Sequence, residues 1–489
     1  MFRRRSGKCH LGVATPDRAW ETQANHLLAK VATFRLTTNY GRRRRTGIWL
    51  LCCALCLAIG SFCDAQEQLT DTAAAGDRHR VVVSTDIGGT DPDDFQSMVH
   101  LLVYADVLDL EGLIASPYGE GRTRDILKVI ECYETDYPNL KTYSDRYPTP
   151  DALRAITKQG ATERAPYAGF ANATEGSQWI IDCARRNDSR PLHVLVWGGL
   201  EDLAQALHDA PEIASKLRVY WIGGPNKKWS PDAFQYIVDR HPTLWMIESN
   251  ATYRGWFSGG IQSGDWDNER FVARHIQGQG SLGDFFARQK TDIKMGDSPS
   301  VGWLLQGDPH DPMCPGWGGC YVRAWKRPYL RLERMPSESD RIEVFGVFEL
   351  ALPIGDDAPH SPTFLKVENQ RLSGYVAGDG TMRFRFCPKA AKAYHFRIES
   401  DTKTLDGLTG SITAYSPDPK IATTPDVQLP NWWTDDLSPS VSEGPHSGAK
   451  TVSRWREQFL GDFADRMRRC RLPSNTDNAA HRGTGKGGP

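Results

Sequence analysis

The sequence predicts an α/β fold, a mostly parallel sheet flanked by helices, with an additional β-sandwich module. Two features carry this expectation. Between residues 81 and 326, short apolar runs that end in Gly- and Asp-rich turns alternate with stretches of helical periodicity, and parallel strands need such crossovers to pair. From about Arg327 the texture changes to short alternating strands separated by Asp, Gly and Pro turns, a sandwich pattern. In parallel sheets ligands gather at the carboxyl ends of the strands, so the loops after strands are where function is expected.

At 489 residues the chain exceeds one ordinary domain, and a net charge of −1 argues against a general nucleic-acid binder. Fifteen Trp can serve as core or as platforms on which sugar rings stack. Residues 1–65 read as an N-terminal extension and secretory signal. Arg42 to Arg45 are basic, Ile48 to Ile59 is apolar, and Cys63-Asp64-Ala65 offers small residues for cleavage. The apolar run is shorter than the roughly 20 residues of a membrane span, so a secreted or periplasmic protein without a stable span is expected. Of 11 Cys, six follow the signal: Cys132, Cys183, Cys314, Cys320, Cys387 and Cys470. Export permits disulfides, and Cys314 with Cys320 is the local candidate.

The first predicted strand, Val81 to Val83, empties into a turn holding Asp86, Gly88, Gly89, Asp91, Asp93 and Asp94. Four carboxylates a few ångströms apart repel by roughly 1 to 4 kcal/mol per pair at surface dielectrics, so something must compensate them. A hard divalent cation does this, because Ca²⁺ gathers carboxylate oxygens; a solvated Asp-Gly turn is the plainer alternative.

Downstream, the periodicity predicts a helix from Phe95 to Val107, a strand from Leu110 to Ala115 and a helix from Arg124 to Tyr133. Residues 142–176 read as a lid or internal linker. A helix follows at Ser177 to Arg185, then strands at Leu192 to Val196, Leu217 to Ile222 and Leu244 to Glu248. Beyond Arg327, strands are expected at Ile342 to Leu350, Thr363 to Val367, Leu372 to Val376, Thr381 to Phe386 and Ala393 to Ile398. Trp455, Phe459, Phe463 and Met467 recur every fourth residue, one buried helical face. The expected organisation is a domain over 66–327, an inserted sandwich over 328–420, a segment over 421–472 that returns to the first domain, and a disordered tail over 473–489.

The 81–94 stretch resembles the first metal loop of the nucleoside hydrolases, above all a secreted branch known as cellulose-binding proteins. The gap between Asp86 and the Asp93-Asp94 pair is about three residues longer than theirs, and Ser84 stands where they usually carry Asp. Trp197-Gly198-Gly199-Leu200 resembles their second block, Gly223-Gly224-Pro225-Asn226 another family turn, and Asp297 their late metal Asp. Gly296 replaces the neighbouring His that protonates the leaving group in purine-acting relatives, and His310 is the nearest substitute.

The resemblance implies one Ca²⁺ held by Asp86, Asp94, Asp297 and the Trp197 carbonyl. Asp86 would be the catalytic base, Asp93 would bind a sugar hydroxyl, and Glu120, Asn226, Gln235 and Asn250 are candidate substrate ligands. The implied function is a secreted calcium-dependent glycosyl hydrolase acting on an N-glycosidic or related sugar bond of a nucleoside or carbohydrate. A calcium-dependent carbohydrate-binding protein without turnover is the alternative, and a purely structural calcium module the third.

Overall fold

A computed structural model describes residues 78–89, 91–116, 118–355, 359–420 and 424–471. The signal and the C-terminal tail expected from the sequence lie outside the described residues. No helix among the described residues is long and apolar enough to cross a membrane.

An eight-stranded sheet forms the frame. Its strands are β1 (His79–Thr85), β2 (Leu108–Ala115), β3 (Thr157–Gln159), β4 (Leu192–Val196), β5 (Leu217–Ile222), β6 (Met246–Ser249), β7 (Tyr321–Arg323) and β17 (Trp432–Asp435), in the order β3-β2-β1-β4-β5-β6-β17-β7. Every pairing is parallel except β17 with β7. The chain runs outward from β1 through β2 and β3, then restarts at β4 on the other side of β1. The gap between β1 and β4 is therefore a topological switch point, where open α/β sheets bind ligands.

Both sheet faces are covered. Val81 and Val83 enter one core beside α1 (Asp93–Val103), α2 (Thr123–Leu140), α6 (Gly280–Gln289), α7 (Ser298–Leu305) and α8 (Arg456–Arg468). Val82 points to the opposite core, shared with α3 (Glu175–Arg185), α4 (Glu201–Asp209) and α5 (Pro231–Arg240). Burial on both faces explains the apolar runs Val81 to Val83 in β1 and Val194 to Val196 in β4. The face of Phe459, Phe463 and Met467 is fully buried.

Between β7 and β17 the chain builds two further sheets. Four strands pair in the order β13-β14-β10-β8 and five in the order β12-β11-β15-β16-β9. Phe348, Leu350, Phe384, Phe396, Ile398 and Ile412 share the core between them. These strands are β8 (Tyr329–Leu332), β9 (Arg341–Glu343), β10 (Val347–Pro353), β11 (Phe364–Val367), β12 (Gln370–Ser373), β13 (Tyr375–Val376), β14 (Thr381–Phe386), β15 (Ala393–Glu399) and β16 (Thr409–Tyr415).

The fold class matches the expectation, whereas several boundaries differ. The first helix begins at Asp93, so the acidic pair belongs to its first turn, where the positive end of the helix favours carboxylates. The expected strand from Ile342 to Leu350 is two strands, broken where Phe345 adopts φ +64°. The expected strand from Leu372 to Val376 also divides, at Gly374. In both cases the halves enter different sheets. The polar stretch at 142–176 contributes the edge strand β3. All six cysteines past the signal are free, and Cys314 Sγ meets Asp311 Oδ2 at 3.3 Å while Cys320 Sγ meets the Met313 carbonyl at 3.0 Å.

Candidate functional site

At the switch point a cavity of about 400 Å³ is lined by Asp86, Asp91, Asp93, Asp94 and Asp297. Three segments bring them together: the end of β1, the first turn of α1, and the residue that opens α7. Ligand oxygens of Asp93, Asp94 and Asp297 all lie within 4.8 Å of one another. The resemblance put Asp86 with the metal and Asp93 with the sugar. The closest grouping here is Asp93 with Asp94 and Asp297, while Asp86, half-buried, lines the same cavity.

Each carboxylate is aimed by its neighbours. Gly88 takes φ +86°, which turns the chain sharply after Asp86, and a Cβ there would lie 2.5 Å from Asp125 Oδ2. Thr85 Oγ1 donates to Asp94 Oδ1. Asp297 occupies the N-cap position of α7, yet its side chain makes no capping bond and its buried Oδ2 has no partner. An N-cap carboxylate ordinarily spends itself on the helix N–H groups, so this one is held for another purpose. Its loop is fixed from α1. The Gln96 side chain accepts from the Lys294 N–H at 2.8 Å and donates to the Asp292 carbonyl at 3.0 Å, and Ser97 Oγ accepts from the Asp297 N–H at 3.3 Å. Met295 between them adopts φ +36°, unusual for a side-chain-bearing residue and concentrated at functional sites.

Burial pushes the Asp86 carboxyl up to about 6 and Asp93 up to about 7, with the Asp91 charge adding to both. Asp94 and Asp297 are held well above the usual carboxylate range, by burial first and by a neighbouring carboxylate second, Asp297 for Asp94 and Asp93 for Asp297. The Lys294 charge offsets part of this repulsion, yet the Asp93, Asp94 and Asp297 carboxyls all stay above their ordinary range. The lining also holds four cationic side chains, Lys228, Arg254, Lys294 and Lys389. Lys294 pairs with Asp91 at 3.0 Å, and Lys228 donates to Asn369 Oδ1 at 2.9 Å. An orphaned buried carboxylate oxygen inside an oxygen-rich cluster fits a hard cation.

The other predicted residues divide. Trp197 lines the cavity and its carbonyl accepts from Asn226 Nδ2 at 3.1 Å, so both belong to it. Asn250 lies in an adjoining chamber, with Nδ2 on Glu248 Oε1 at 2.8 Å and Oδ1 accepting from the Gly224 N–H at 3.0 Å. Gln235 is on α5 outside the cavity lining and donates to Asp239 Oδ1 at 2.8 Å. Glu120 is exposed and also outside it. The sequence reading missed Asn369 and Lys389, which reach the cavity from the sandwich, and Trp229, Tyr253 and Phe257 on its wall. Only the glycine- and aspartate-rich turns carried a signal.

Residues 80–321 match the family described as cellulose-binding Sde182, nucleoside hydrolase-like domain. No curated protein matches the chain. Among solved structures, a nucleoside hydrolase-related protein from Saccharophagus degradans, associated with carbohydrate metabolism, is 19% identical, covering 69% of this chain and 100% of that one at TM-score 0.43. A purine-preferring ribonucleoside hydrolase from Gardnerella vaginalis is 15% identical over 50% and 83% of the two chains, at TM-score 0.31. An inosine-uridine preferring nucleoside hydrolase from Bacillus anthracis is 12% identical over 70% and 96%, also at TM-score 0.31. Residues 80–321 of this chain are thus a nucleoside hydrolase-like domain of the cellulose-binding Sde182 family.

Proposed function

We propose that the protein is a calcium-dependent hydrolase of glycosyl bonds, acting outside the cytoplasm on an N-glycosidic or related sugar bond. The observation that carries this reading is the cluster of Asp93, Asp94 and Asp297 oxygens within 4.8 Å, with Asp297 Oδ2 left unpartnered at a sheet switch point. These three carboxylates and the Trp197 carbonyl would hold the ion. The chemistry that calcium would supply there is polarisation of the attacking water. Asp86, half-buried on the same cavity, would take the proton from the water that attacks the anomeric carbon. The glycosyl bond breaks as the new carbon–oxygen bond forms, and the leaving group takes its proton from solvent at the open mouth. Asn226 on the wall would meet sugar hydroxyls. In this reading the sandwich over 328–420 is an inserted module, with 421–472 returning to the domain begun at 66.

One observation favours binding without turnover. Gly296 offers no acid beside the cluster, so departure of a poor leaving group lacks assistance. Calorimetric titration with Ca²⁺, then with inosine, ribose, glucose and cellobiose, with and without chelator, separates the readings. The hydrolase predicts free sugar released only with Ca²⁺, and at least a hundredfold weaker Ca²⁺ binding for Asp297→Asn. Chelator-sensitive binding without release supports the binder. Failure to bind Ca²⁺ overturns both.

A further inference from the structure

Beside the acid cavity, at the carboxyl ends of β6 and β17, lies a second chamber of about 460 Å³, and Arg254 and Lys389 line both. Loops of the sheet form one side and loops of the sandwich the other, with Trp325, Arg327, Glu343 and Phe345 on its walls.

Three features mark it as built to receive a ligand. Arg327 is only 7% exposed. It spends Nη1 on Glu248 at 3.2 Å and Nε on the Trp325 carbonyl at 2.9 Å, and leaves Nη2 without a partner. A buried guanidinium N–H without an acceptor is costly. Next, Phe345 holds φ +64°, a conformation that costs a side-chain-bearing residue roughly 1 to 2 kcal/mol. Such strain collects where structure serves ligands. Finally, the lining charges balance: Arg254, Arg327 and Lys389 against Glu248, Glu343 and Asp435. Balanced charge disfavours an anion. Hydroxyl groups, which both donate and accept, suit mixed donors and acceptors, and the half-buried Phe345 ring on the wall suits the apolar side of a sugar ring.

Single small ligands occupy pockets of roughly 300 to 1,000 Å³, so each chamber is large enough for one ligand unit. We propose that the second chamber binds the neighbouring glycosyl unit of a neutral oligosaccharide whose terminal unit sits in the acid cavity. Arg254 and Lys389, at the shared wall, then flank the link between the units. The inference rests on the reading of the acid cavity as a sugar site.

Calorimetry on the full chain with Ca²⁺ tests it, using glucose, cellobiose, ribose and inosine. Cellobiose is expected to bind at least tenfold tighter than glucose. Ala391→Trp fills the chamber from an exposed wall position outside the acid-cavity lining, and should abolish that preference while leaving glucose and Ca²⁺ affinity unchanged. Ser416→Trp, from a different loop of the same wall, should do the same. Equal affinity for glucose and cellobiose, or a preference that survives both plugs, overturns the second chamber alone. A gain from ribose to inosine without one from glucose to cellobiose assigns the chamber to a nucleobase and overturns the sugar. No Ca²⁺-dependent binding of glucose or ribose overturns the parent reading as well.

Discussion

At position 296 a side chain has no room: a Cβ there would stand 2.4 Å from Asp93 Oδ2. The glycine that departs from the nucleoside hydrolase pattern is therefore tied to where this chain keeps Asp93. Gly296→Ala should push that carboxylate out of the cluster and weaken Ca²⁺ binding by about tenfold, with thermal stability nearly unchanged; titration calorimetry and a melting curve check the two halves. The aspartates of the site were legible because acids spaced along Gly-rich turns are odd enough to need an explanation. Asn369 and Lys389 were not, since a polar residue in a remote sandwich loop looks the same whether or not the fold swings it over a pocket.

The helix that supplies Asp93 and Asp94 also buries His100, on its far turn, among the rings of Tyr104, Trp256 and Phe463, with centroids 5.0, 5.3 and 5.0 Å away. Its Nδ1 has no partner, and burial pushes its pKa down to about 3. The folded chain therefore binds fewer protons here than the unfolded chain between pH 6.5 and 3. Stability is retained above pH 6.5 and lost as pH falls, by about 1.4 kcal/mol per unit. His100→Phe should remove that share, so that between pH 7 and pH 5 wild type loses about 2 kcal/mol more than the variant in urea unfolding. Elements were legible where period and burial agree, as in β1 and β4. Phe345 and Gly374 hid the strand breaks, because apolar residues continue on both sides of each while the chain switches sheets.

Across the whole molecule, buried charge joins the two halves. Lys227, after β5, and Arg327, on the way into the sandwich, both pair with the fully buried Glu248 of β6. Burial works against the Glu248 charge, but Lys227 and Arg327 outweigh it and hold the carboxyl below its ordinary range. Lys227→Met should cost about 3 to 5 kcal/mol, because an interior carboxylate loses one of its two cations; chemical denaturation measures it. A second junction has the same character, with Arg385 of β14 meeting Glu349 and Asp232 at 3.1 Å each. The two halves should consequently unfold in one transition.

The placement of β17 has a consequence for how the chain is made. Thr434 reaches back to the Glu248 carbonyl across 186 residues of sequence, so β6 leaves the ribosome long before the strand that covers its edge. At roughly 5 to 20 residues per second that wait is on the order of 10 to 40 s. Through it, a bare row of backbone donors and acceptors faces solvent, a template for pairing with the wrong strand. A nascent chain of this design has reason to meet a chaperone before its last hundred residues are translated.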